Sequence, residues 1–200
     1  SDDIDLFTKT KKSQASTVLA VKSLTSIGAT RMGEHESAFF YDSTWSYEGH
    51  LFTVQVVLDA DSFTTGTSLS AGEIQVASLQ TLLKLKAATL VSRCSEKDLF
   101  DLMWLFEVFP NLQISELIAL GFEIDGGVNA ENMLASIAGT TLRKEACNFS
   151  LDRALCSPRQ IHEHLQRFQR ELKNQLITYL KSQPTDELGQ LVKLARKVLS

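Results

Sequence analysis

Between Leu51 and Asp59 the side chains alternate, with Phe52, Val54, Val56 and Leu58 set between Thr53, Gln55, Val57 and Asp59. A period of two belongs to a strand with one buried face. The last such run is Ile74 to Val76. From Ser78 the spacing turns helical, beginning with Leu79, Leu82, Leu83, Leu85, Ala87, Leu90 and Val91. This switch of period restricts the chain to an α+β fold. Residues 1–77 mix strands and helix in a small sheet-forming region, and residues 78–200 are a mostly helical C-terminal half.

The same periodicity locates the other elements. Ile4 to Phe7 reads as a strand. Val18, Val21, Leu24 and Ile27 suit an amphipathic helix that starts at Ser13 and stops at Gly28. Phe39 to Tyr41 is a further strand, with Gly49 in the turn that follows, and residues 64–72 form a Thr/Ser/Gly-rich loop. In the second half, Ser95 with Asp98 three residues on suggests a helix start, and Pro110 ends that helix. Ile114 to Leu120 is closed by Gly121, and Asn129 to Ile137 follows a turn at Gly126-Gly127. Ser157-Pro158 opens a long helix. Pro184 breaks it, and a last helix is expected over 186–199.

Composition excludes some classes. With 20 basic against 24 acidic residues the net charge is −4, unlike a protein coated in positive charge to hold nucleic acid, although a local basic cleft is compatible with it. Cys94, Cys147 and Cys156 have no C-x-x-C spacing and read as reduced thiols. No apolar run reaches membrane-span length and no signal pattern opens the chain, so a cytoplasmic protein without membrane contact is expected.

Two constellations could carry chemistry. In Ser1-Asp2-Asp3-Ile4-Asp5-Leu6-Phe7, a strand through Ile4 turns Asp3 and Asp5 to one side. Two adjacent carboxylates offer hard oxygen ligands suited to magnesium; the plain alternative is a solvated acidic stretch. The other set is Lys86, Arg93, Lys97, Asp98 and Asp101. Lys86 and Arg93 share one helix face, and Asp98 and Asp101 share a face of the next helix. Cations there could offset phosphoryl charge; a surface salt-bridge set is the alternative.

Together these segments resemble the AbiEii/AbiGii abortive-infection nucleotidyltransferases of the polymerase-beta-like superfamily. That family carries S-x-D-I-D-hydrophobic-F, later K-x-x-A-x-x-x-R, and then (R/K)-D-L-(Y/F)-D-L. The chain has the first at residues 1–7, Lys86 to Arg93 in the second place with Thr89 where the pattern has alanine, and Lys97-Asp98-Leu99-Phe100-Asp101-Leu102 in the third. The resemblance implies a nucleotidyltransferase-type core in 1–77 and a helical region, 78–200, that completes the active site. It implies Asp3, Asp5, Lys86 and Asp101 as catalytic groups and Ser1, Lys86, Arg93 and Asp98 as nucleotide-binding groups. Asp3 and Asp5 would ligate Mg2+, with Asp59 as a third carboxylate. The implied activity is Mg2+-dependent transfer of a nucleotide from a nucleoside triphosphate (NTP) to an acceptor such as tRNA. The chain would then be the toxin of a toxin–antitoxin pair, with a cognate antitoxin as partner.

One departure qualifies this. The family places a Gly-Gly or Gly-Ser element upstream of the acidic pair, and the chain begins at the acids. The core is therefore expected to be incomplete at its N-terminus, and this chain to have weak or no activity. The alternative is an inactive family member acting as a protein-binding module. A D-x-D glycosyltransferase is a further alternative, but it leaves Lys86 and the second acidic block unexplained.

Overall fold

A computed structural model describes residues 3–59, 68–71, 74–148 and 156–183. Ser1 and the last expected helix lie outside these residues, as does most of the expected loop at 64–72. The fold is α+β. Two compact units divide the chain, one made of Ser1–Leu82 with Asn148–Pro158 and the other of Leu83–Cys147 with Arg159–Ser200. The change from strand to helix follows Ala77, whereas the units divide within a helix, after Leu82.

The first unit contains β1 (Asp3–Thr8), α1 (Lys11–Lys22), a 3₁₀ turn (Ser23–Ile27), β2 (Thr30–Glu36), β3 (Phe40–Tyr47) and β4 (His50–Leu58). The sheet order is β1-β4-β3-β2. β1 runs parallel to β4, and the other neighbours are antiparallel. A separate antiparallel pair joins β5 (Ser68–Ala71) to β6 (Ile74–Ala77), so four residues expected in the loop are strand.

Helix α1 begins earlier than its apolar spacing suggests. Thr10 caps it: its hydroxyl accepts from Ser13 N while Ser13 Oγ accepts from Thr10 N, each at 3.1 Å. Val18 and Val21 of α1 pack with Tyr41, Trp45, Val54 and Val56 to form the core of this unit. The β3–β4 hairpin turns through Glu48 and Gly49, both at positive φ (49° and 81°), the pairing a tight two-residue turn requires. β2 had no counterpart in the sequence reading. All seven of its residues are exposed, so it has no buried face to impose a period.

The second unit takes in most of α2 (Leu79–Ser92), then α3 (Glu96–Val108), α4 (Ile114–Phe122), α5 (Ala130–Gly139), a 3₁₀ turn (Lys144–Cys147) and nearly all of α6 (Pro158–Ser182). Gly121 lies inside α4 and does not close it. A Cβ there would meet Val128 Cγ1 at 2.9 Å and the Ala87 carbonyl carbon at 3.2 Å, so its bare Cα permits close approach to α2. From α6, the buried Gln169 amide donates to the carbonyls of Ile137 and Thr140, both at 2.9 Å. It thereby adds a second donor to the Ile137 carbonyl, which also accepts from Thr140 N at 3.4 Å, and supplies one to the carbonyl of Thr140 at the end of α5. None of the described helices is long and apolar enough to cross a membrane.

Candidate functional site

The acidic pair sits on β1. Ile4 and Leu6 stand opposite Val54 and Val56, on the face covered by α1. Alternation therefore turns Asp3 and Asp5 to the other face, where both are exposed. Asp3 is level with Thr53, whose hydroxyl donates to Asp3 Oδ1. Asp5 is level with Gln55, Gln55 with Asp42, and Asp42 with His35, so one polar row crosses all four strands.

Asp42 was missed by the sequence reading. Its Oδ1 is buried without a hydrogen-bond partner, an uncommon condition for a carboxylate oxygen. A signal existed in the alternation of Tyr41, Ser43 and Trp45, but Ser43 disguised it as a polar stretch. Ser43 is buried, accepts from Trp45 Nε1 at 2.9 Å and donates to the Val54 carbonyl at 3.3 Å.

Asp59 does not join the acidic pair. It follows β4 at the far end of the ladder, where its N–H donates to the Thr8 carbonyl. Leu58 is level with Thr8 and Gln55 with Asp5. Asp59 is therefore displaced from Asp5 by about 13 Å along the strand direction, at about 3.3 Å per residue, too far to share one ion. The parallel register is the reason: an acid at the C-terminal end of β4 cannot lie beside acids at the N-terminal end of β1.

The second constellation lies in the helical unit, which brings four of its residues together. Lys86 Nζ on α2 reaches Asp98 Oδ1 at 3.2 Å and Asp101 Oδ2 at 2.6 Å, both on α3. Arg93 Nε reaches Asp98 Oδ2 at 3.4 Å. Ser95 Oγ donates to the same oxygen at 2.6 Å and accepts from Asp98 N at 3.2 Å, completing the expected cap. Asp98 is thus a helix cap and the hub of an ion network, with its side chain 3% exposed.

Burial opposes the charge on Asp98, but the Ser95 hydroxyl, Lys86 and Arg93 outweigh it and hold the carboxyl below its ordinary range. Burial likewise opposes the charge on Lys86. The hydrogen bond to Asp101 and the charges of both aspartates outweigh it and raise the ammonium's pKa. Next to the hub, Glu96 accepts from Arg143 N at 2.7 Å and from Arg143 Nε at 3.3 Å, tying α3 to the second 3₁₀ turn.

Two of the thiols are poor nucleophiles. Burial pushes both Cys94 and Cys147 up, away from the thiolate. Among the described residues, no group of three or more His, Cys, Asp or Glu side chains is arranged to hold a metal ion. Asp3 and Asp5 still fit magnesium in kind, since that ion commonly takes one or two carboxylates and fills its other positions with water and phosphate oxygens. No protein-family model, curated protein or solved structure matches the chain.

Proposed function

We propose that the chain is the core of a magnesium-dependent nucleotidyltransferase of the AbiEii kind. The observation that carries this reading is the Asp3–Asp5 pair, turned to the open face of β1 with Thr53 orienting one member. Asp3 and Asp5 are the ligands for Mg2+, which when bound neutralises phosphate charge and aligns the oxygens of an NTP. Asp42, in the same row as Asp5 but two strands away, about 10 Å at roughly 4.8 Å per strand, stays outside the metal site.

In the helical unit, Lys86 is the triphosphate cation. Asp98, buried beneath it, fixes its position. Asp101, whose side chain is 36% exposed, is the partner an incoming phosphate can displace. Arg93, 70% exposed, extends the positive surface. The acceptor in this reading is an RNA, with tRNA the first to test, and the protein partner is a cognate antitoxin.

Calorimetric titration of GTP, CTP, ATP and UTP, with and without Mg2+, tests the proposal. At least one triphosphate binds only with the metal, and Asp3→Ala/Asp5→Ala abolishes that binding. Failure of all four to bind overturns the reading.

A second reading, a non-catalytic protein-binding module, draws on one feature. Lys86 is already balanced by two carboxylates, so the network also makes sense as fixation of α2 on α3. The same titration separates the two, because a binding module has no metal-dependent affinity for triphosphates.

A further inference from the structure

Six arginines lie in the described residues. Four pair with carboxylates: Arg31 with Glu34, Arg93 with Asp98, Arg143 with Glu96 and Arg159 with Glu163. Arg167 and Arg170 make no ion pair among the described residues, and both are exposed on α6 one turn apart. The helix repeat carries the same face to Asn174 and Lys181, also exposed. The stripe spans about 21 Å at 1.5 Å per residue.

Its surroundings exclude the commoner explanations. The acid preceding it on this face, Glu163, is held by Arg159 at 2.8 Å. Glu171, four residues on from Arg167, makes no ion pair with it among the described residues and lines a groove with Met103, Phe106 and Phe168. A helix that rests on a membrane keeps an apolar face free for lipid, but here Ile161, Leu165, Leu172 and Leu176 are buried. The stripe is flanked instead by Gln166, whose amide can hydrogen-bond to phosphate or sugar oxygens. Arginine's planar fork suits phosphate oxygens, and holding such cations away from carboxylates leaves them open to a polyanion.

We infer that the Arg167–Arg170–Lys181 face of α6 binds the phosphodiester backbone of a nucleic acid. In a chain of net charge −4 this is a local electrostatic footprint that docks a strand by its phosphates. Its role as the acceptor-binding surface rests on the transfer reading; the binding itself does not, and is measured without NTP or magnesium.

The test is fluorescence anisotropy of a labelled RNA hairpin across a salt series, with phosphatidylserine vesicles in parallel. The wild-type chain binds the hairpin with affinity that falls as salt rises. Arg167→Gln/Arg170→Gln reduces the log–log salt slope by about two and weakens binding about tenfold or more. Arg31→Gln, in the sheet unit, leaves the slope unchanged, and Asp3→Ala/Asp5→Ala leaves RNA binding intact. No hairpin binding, an unchanged slope in the double variant, an equal loss in Arg31→Gln, or binding to vesicles in place of RNA overturns the inference. Hairpin binding without triphosphate binding would defeat the transfer reading alone.

Discussion

At Asp98 one carboxylate does three jobs: it accepts from Ser95 N and Oγ to close the cap of α3, anchors Lys86 and meets Arg93. Its pKa is depressed in the folded chain, so its stabilisation is present above its unfolded value, near 4, and is lost as pH falls through the lower folded value. Asp98→Asn leaves Lys86 half-paired and is expected to cost about 2–3 kcal/mol near neutral pH. Urea titrations at about pH 7 and about pH 3 check this. The gap between wild type and variant shrinks at the lower pH, whereas a gap constant across pH would mean that packing, not charge, is at stake. Lys86, raised above its ordinary value, keeps its contribution until well into the alkaline range.

Among the elements, legibility followed burial. β4 was readable because Val54 and Val56 are buried while their neighbours are not, and α3 because its cap is written in Ser95 and Asp98. β2 was not, because an edge strand with every residue exposed carries no period. Gly121 was legible only as a stop, since close approach of two helices depends on a partner distant in sequence. Gly121→Ala forces Val128 and Ala87 apart and is expected to cost about 1–3 kcal/mol, despite alanine's better helix propensity. Thermal denaturation of the single variant checks it; a rise in melting temperature would show that α4 and α2 have room to spare.

On the scale of the whole chain, spacing alone paired Lys86 with Arg93 and Asp98 with Asp101, and the helical unit joins them into one network. Strand register was beyond that reading, which is why Asp59 was named as a third carboxylate although it lies about 13 Å along the ladder from Asp5. Sequence distance does not reveal which residues stand level across a parallel ladder. The two units divide inside α2, so each owns part of one continuous helix. Unfolding is expected to be coupled through that helix. Trp45, fully buried in the first unit, and Trp104, half-exposed in the second, report separately. Single-tryptophan variants made with Trp104→Phe or Trp45→Phe should melt in coincident transitions by fluorescence, and well-separated midpoints would refute the coupling.

Among the described residues β2 ends the sheet with its outer edge unpaired, the kind of edge on which a second chain could stack. Its register shift between Arg31 and Gly33 breaks the straight template a newcomer would need. Arg31, Glu34, His35 and Glu36 would also set like charges side by side in any in-register stack. The strand that was hardest to see in the sequence thus protects the protein in crowded solution, where it hinders fibril seeding.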